Sequence, residues 1–407
     1  MKKIETNKVF HVILIFFCMT IVLFLYQDAE AKIFKVNSTA DIVDAAPGNG
    51  ICATGAATCT LRAAVQEANA FPGADTIILK VKTYRRTIAG TGEDLAATGD
   101  LDITDSVTIT GLGAAYTIID GNLIDRVFHV IGNATVASFV GLKIQNGFVS
   151  SGVPAGAGIL NFRATTAVIA CTIKNNISYA SRGGGIFNDG GGLKVVSSRV
   201  TQNVLYYEGG PVYGGGIASL QGELKLMGTK ISDNLASNIA DTASPFDAAR
   251  GGGVAISGGT SVKIKSCTIT GNIADSWTGD QYASEGGGLH IEEVSNANII
   301  NTKIAYNTAT GIGGFGGGVK VLESNATFSG CTIIENSATG VFGGLGGGLY
   351  LENGSADPMT ITINNLSSIT YNFATTYGGG IYTLGSIIVD ASADSVVAKN
   401  SPEDYYP

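Results

Sequence analysis

Charged side chains are scarce. Asp, Glu, Lys and Arg make up 14% of the 407 residues, and 45% are hydrophobic. An average soluble protein carries about 25% charged residues. So apolar a chain buries a large core, which argues against disorder despite 57 glycines. The glycines follow no Gly-X-Y period, which excludes collagen. Positive charge is in deficit, with a net charge of −8. That argues against nucleic acid and anionic membranes as main partners.

Catalytic signatures are also missing. There is no His-x-x-x-His, no Cys-x-x-Cys and no phosphate loop, and no metal site is expected. "GGFGGG" has the glycines of a calcium-binding repeat without its Asp. His129 alternates with Phe128 and Val130 and reads as a strand surface residue. Asp120 and Arg126 read as parts of a structural turn. Beyond the N-terminus no segment is apolar and long enough to span a membrane as a helix.

That N-terminus reads as an address. A basic start, "MKKIETNK", precedes an uncharged apolar run over residues 9–26 and the small-residue pair Ala29 and Ala31. This is a signal-peptide pattern, with cleavage expected before Lys32. The rival reading is an uncleaved anchor. The expected organisation is a signal peptide over 1–31, an N-terminal cap with the first strands over 32–90, a repeat domain over 91–400 and a tail over 401–407. The expected address is secreted or cell-surface.

What is abundant is a repeat. Runs such as "CTIIENSATGVFGGLGGGLYLENG" pair an Ile/Val strand ending in Asn with a later triple glycine and an aliphatic residue. The asparagines are Asn176, Asn203, Asn234, Asn272, Asn307, Asn336 and Asn372, spaced by 27, 31, 38, 35, 29 and 36 residues. The residue after each triple glycine is Ile186, Ile217, Val254, Leu289, Val319, Leu349 or Ile381. One such unit cannot bury its apolar rows alone, whereas stacked coils can. The reading is all-β, a right-handed parallel β-helix (solenoid) with a short helix-containing cap. Parallel β crossovers are almost always right-handed. A β-propeller, with blades of about 40–45 residues, is the rival. Stacking makes the asparagines a hydrogen-bonded ladder and the aliphatics a core row.

The cysteines test this register. Cys171, Cys267 and Cys331 share one inward position, filled by Ser198, Thr229, Thr302 and Ser367 in other coils. Coils about 4.8 Å apart keep them beyond the roughly 7 Å limit for a disulfide, so three free buried thiols are expected. Cys52 and Cys59 lie close together in an exported chain, and a disulfide is expected. Residues 60–70 read as a short amphipathic helix, with Thr60 as N-cap.

"CTLRAAVQEAN", with "FKVNSTAD" before it and "DTIIL" after it, resembles the CSLREA motif of exported bacterial β-helix proteins. The "GGGI" and "N-x-A" units resemble repeats of polymorphic outer-membrane proteins and, more broadly, of the pectin-lyase-like β-helix. This chain departs from the motif at Thr60 and Ala63. The family's Ser and Glu form a capping box there, and the Glu half is missing. No autotransporter barrel follows, so anchoring by one is not expected.

Functional candidates fall into two groups. The loops after the asparagines are longest in the middle coils and carry Tyr206, Tyr207, Tyr213, Asp247, Arg250, Asp275, Trp277, Asp280 and Tyr282. Aromatics beside acids suit an extracellular polysaccharide or cell-surface glycan. Against this, solenoid loops drift in length and fold onto the body. The second group is an outward file, Phe187, Ala218, Ala255, His290, Lys320, Tyr350 and Tyr382, with Glu293 and Glu323 on adjacent coils. Two carboxylates at rung spacing fit a retaining glycosidase, although aligned acids on a solvated face share that spacing. The resemblance implies that lyases of this fold use Lys or Arg as base with acid-held calcium, which Lys320 beside Glu323 evokes. Calcium enters only under that reading, and no other cofactor is expected. The functional expectation is a non-catalytic surface, adhesion or glycan-binding protein. The alternatives are a polysaccharide lyase or glycoside hydrolase, or a structural envelope protein.

Overall fold

The computed structural model describes residues 30–150, 156–239, 248–259, 261–276 and 283–407. The expected signal peptide lies almost wholly outside them, and Asp247, Trp277, Asp280 and Tyr282 lie entirely outside. The chain is a right-handed parallel β-helix. Wall 1 has twelve strands, from Ile33–Lys35 to Ile387–Ala391. Wall 2 has eleven, from Thr83–Arg85 to Val396–Ala398, and wall 3 has eleven, from Leu101–Ile103 to Tyr405–Tyr406. Each coil runs through wall 1, wall 2 and wall 3 in turn, and every pairing is between successive coils. No described helix is long and apolar enough to cross a membrane.

The repeat residues explain this stacking. The seven aliphatics form one file on wall 3, each at most 1% exposed. The ladder asparagines are equally buried. Each Nδ2 donates to the next Asn Oδ1 at 2.9–3.0 Å, and the series continues to Asn400 at 3.0 Å. Each Nδ2 also donates to a wall 2 carbonyl, such as Ile231 O from Asn272 at 3.1 Å. Buried amides are thus satisfied rung by rung. The third glycine of each triplet packs against this ladder. A Cβ on Gly253 would come within 2.6 Å of the Gly288 carbonyl oxygen and 3.0 Å of the Asn272 amide.

A second, shorter ladder escaped the sequence reading. Asn161 Nδ2 donates to Asn188 Oδ1, and Asn188 Nδ2 to Ser219 Oγ, at 2.6 and 2.9 Å. Cys171, Cys267 and Cys331 are free and buried, and burial pushes the thiols of Cys171 and Cys331 up to about 11. Cys52 and Cys59 form a disulfide. Helix Leu61–Ala70 closes the N-terminal end. Its N-cap Thr60 accepts from Ala63 N at 3.1 Å. The lost Glu is replaced by other anchors. Buried Arg62 pairs with Asp41 at 2.6 Å and donates to the Gly99 carbonyl at 2.8 Å, and Asn69 Nδ2 reaches Asp102 O at 2.7 Å.

The described parts of the loops after the ladder form sheets of their own in the middle coils. An outbound sheet of eight strands, from Phe148–Val149 to Phe373–Ala374, leaves wall 2 at the asparagines. A return sheet of five, from Val212–Tyr213 to Gly344–Leu345, leads into wall 3. Leu205, Val212, Ala236, Ala249 and Ala274 are buried between the two, with Tyr207 packed on them. Together they make an arm along the solenoid.

Candidate functional site

The arm folds over part of wall 3's outward face, and this corrects the reading of the second candidate group. Phe187, His290, Lys320 and Tyr350 point away from the core but are at most 3% exposed. The return sheet covers them. It carries the residues just before each triple glycine, and these stack as Tyr213, Arg250, Glu285 and Phe315.

The two files meet in a buried ionic network. Lys320 Nζ lies 2.6 Å from Glu285 Oε1 and 2.9 Å from Glu352 Oε2. Arg250 contacts Glu285 at 3.0 Å and Glu292 at 3.6 Å, and its Nη1 donates to the Tyr213 hydroxyl. His290 sits between Glu285 and Glu292 at 3.7 and 3.6 Å, with neither ring nitrogen in a hydrogen bond. Burial alone would raise the Glu285 carboxyl, but Lys320, His290 and Arg250 together hold it at about 2. Burial lowers His290, favouring neutral imidazole. Lys320 is the reverse case: burial disfavours its charge, but Glu285 and Glu352 outweigh that and raise it. A lysine so clamped, with its side chain 3% exposed, stays protonated and is a poor general base. Two cations, Lys320 and Arg250, are thus shared among three carboxylates, Glu285, Glu292 and Glu352.

Glu293 and Glu323 lie elsewhere. Both are exposed corner residues between walls 3 and 1, with φ of 52° and 46°. They border a shallow cavity of about 380 Å³ with Asn325 and Asp357. Lys320 is instead committed to Glu285 and Glu352, so the structure does not join it to that carboxylate pair.

The first group is split as well. Arg250 and Tyr213 belong to the buried network. Tyr207 points into the arm, and Tyr206, one residue before it, points out of the outbound sheet. Asp275 shares Tyr206's file two rungs along. Beside Tyr206 stand two residues the sequence reading missed. The Phe148 and Tyr179 ring centroids are 5.9 Å apart, and those of Tyr179 and Tyr206 are 5.7 Å apart. Tyr179 is 42% exposed, and Phe148 and Tyr206 are half-buried. These tilted rings, roughly one coil apart, form an aromatic platform. A cavity of about 480 Å³ lined by Phe148, Tyr179, Tyr207 and Glu208 adjoins it. Phe315, Tyr350, Tyr382 and Tyr406 stack at 5.0–5.3 Å, but there the ring faces meet one another.

At the other end of wall 3's outward file stand Asp102 and His129, one rung apart. His129 is not the plain strand surface residue expected; its side chain is 16% exposed and faces carboxylates. Burial is the main cause that lowers it to about 4, with Arg126 adding repulsion. Burial also raises Asp100 and Asp102 to about 7. Asp100 pairs with Arg126 at 3.0 Å. For Asp102, the Ala96 N–H partly offsets burial, while Glu93 and Asp94 add repulsion.

A family profile described as "Right handed beta helix region" matches residues 228–396, in agreement with the solenoid. A crystal structure of pectate lyase Pel9A aligns over 92% of this chain and 81% of that one, at 14% identity and a TM-score of 0.43. No curated protein matches the chain.

Proposed function

We propose that this is an exported β-helix protein that binds an extended extracellular polysaccharide on the outer face of its arm, without cleaving it. The observation that carries the reading is the Phe148–Tyr179–Tyr206 platform. Aromatic faces offered in a line at coil spacing suit a ligand that is itself a linear repeat, because each ring buries apolar sugar faces and Tyr adds a hydroxyl. Glu208 at its edge and Asp275 along the Tyr206 file supply polar acceptors. The absence of catalysis is supported by the buried network, whose cations are consumed by carboxylates. Export, to a secreted or cell-surface address, is supported by the leader-like sequence and by the Cys52–Cys59 disulfide.

The test is a panel of immobilised extracellular polysaccharides, with retention measured for wild type, Tyr179→Ala and Tyr206→Ala. Each variant is expected to bind its glycan about tenfold more weakly, the effect of losing one aromatic anchor. No glycan retained, or retention unaffected by either change, contradicts the proposal. Release of reducing ends or unsaturated products, lost on Glu293→Gln, would establish the enzymatic alternative instead.

A further inference from the structure

We propose that Asp94, Asp102 and His129 form a binding site for a divalent transition-metal ion, zinc by preference, at the N-terminal end of wall 3. One donor atom from each of Asp94, Asp102 and His129 lies within 4.8 Å of the other two. His129 Nδ1 is 3.3 Å from Asp102 Oδ1 and 3.6 Å from Asp94 Oδ1. A tetrahedral ion with bonds of about 2.0–2.1 Å sets its ligand atoms roughly 3.3–3.4 Å apart, so small side-chain adjustments complete the set.

A second observation points to a cation. The Asp102 side chain is fully buried, yet its Oδ1 has no hydrogen-bond partner. The other oxygen is held by the Ala96 N–H at 2.9 Å, which aims Oδ1 at His129. A buried carboxylate oxygen left without a donor is costly, and a cation at this point removes the cost. Arg126 is engaged with Asp100 at 3.0 Å. One imidazole with two carboxylates suits zinc or manganese, whereas calcium takes oxygen ligands alone. A cavity of about 240 Å³, walled by Leu160 and Phe162, adjoins Asp94 and His129. The remaining coordination positions therefore face room for water. The site is independent of glycan binding.

The experiment is calorimetric titration of the EDTA-treated full chain with zinc chloride, repeated with calcium chloride. Cobalt absorbance reports the geometry. One zinc per chain is expected. His129→Ala and Asp102→Asn are each expected to weaken binding by at least about 10–100-fold. Asp94→Asn, at an exposed loop residue that the fold tolerates, is expected to weaken it about tenfold. Circular dichroism in EDTA verifies folding. No stoichiometric zinc, zinc binding as tight as wild type in Asp94→Asn and His129→Ala, or calcium binding that survives His129→Ala would each overturn the site.

Discussion

Asp102 and His129 occupy neighbouring rungs near one end of wall 3's outward file, and His290 and Lys320 occupy neighbouring rungs further along it. Both pairs are ionisable and largely buried, yet their surroundings differ. Over His290 and Lys320 the return sheet delivers Arg250 and Glu285, so cations and carboxylates interlock and Glu285 is held at about 2. Over Asp102 and His129 lies the loop bearing Glu93 and Asp94, and Asp100 and Asp102 rise to about 7. The same strand position thus becomes a closed structural network where the arm covers it and an acid-rich pocket where a loop does. Coverage, rather than the ladder, decides which parts of this face are left for ligands.

The largest expected effect breaks the closed end. Lys320→Met leaves Glu285 with only Arg250 and His290 beside it, and removing one partner of a buried ion pair typically costs about 3–5 kcal/mol. Urea denaturation should give a loss in that range, and Lys320→Met with Glu285→Leu should recover much of it. If Lys320→Met alone is neutral, the network is not closed.

Next comes the ladder both ends share. Asn272→Ala deletes the amide that serves Asn234, Ile231 and Asn307. Unsatisfied buried groups put the expected loss at about 2–3 kcal/mol, read from the denaturation midpoint.

Acid sharpens the comparison. Glu285 lies at about 2 when folded against an ordinary value of 4.5. Its stabilisation is present above that ordinary value and is lost as pH falls toward 2. His290, lowered from 6.5, acts in the same direction, because only the unfolded imidazole readily takes the proton. The contribution of these two groups should therefore fall on acidification from about pH 6 to 3, opposed by Asp100 and Asp102, whose raised carboxyls take up protons in the folded state. The fall should be shallower in Glu285→Gln, and an equal slope would place Glu285 outside the network.

The smallest effect belongs to the thiols. Cys267→Ser is expected to cost under about 1 kcal/mol, because Ser198 and Ser367 already fill the equivalent position and donate to carbonyls there. Thiol titration of the chain cleaved before Lys32 should find three groups, reactive only on unfolding.

The solenoid was legible because its determinants repeat. Seven asparagines and seven aliphatics, each in one column, define a register without any long-range pairing to guess. Asn400 was missed because Ser401-Pro402 follows it instead of the glycines. The ionic network does not repeat. Arg250, Glu285 and Lys320 are single substitutions in two files, and their partners are a coil away. One signal was available: the residue before each triple glycine forms a column, and aligning it sets Arg250 beside Glu285. The direction of the wall 3 file was legible, but its burial was not, because loops of unequal length gave no hint that they pair into a return sheet. Phe148 and Tyr179 lie outside the long loops, so loop length gives no sign of them. Asp94, Asp102 and His129 carry no spacing motif, since their contact depends on a loop closing over two rungs.

The two described histidines report directly on the two ends. Ring resonances of His129 and His290, followed by NMR as zinc is added and then as pH is lowered, compare them in one sample. Zinc is expected to shift His129 alone, and His290 to stay neutral below its ordinary value of 6.5. Zinc shifting both rings or neither, or His290 titrating near 6.5, would contradict this.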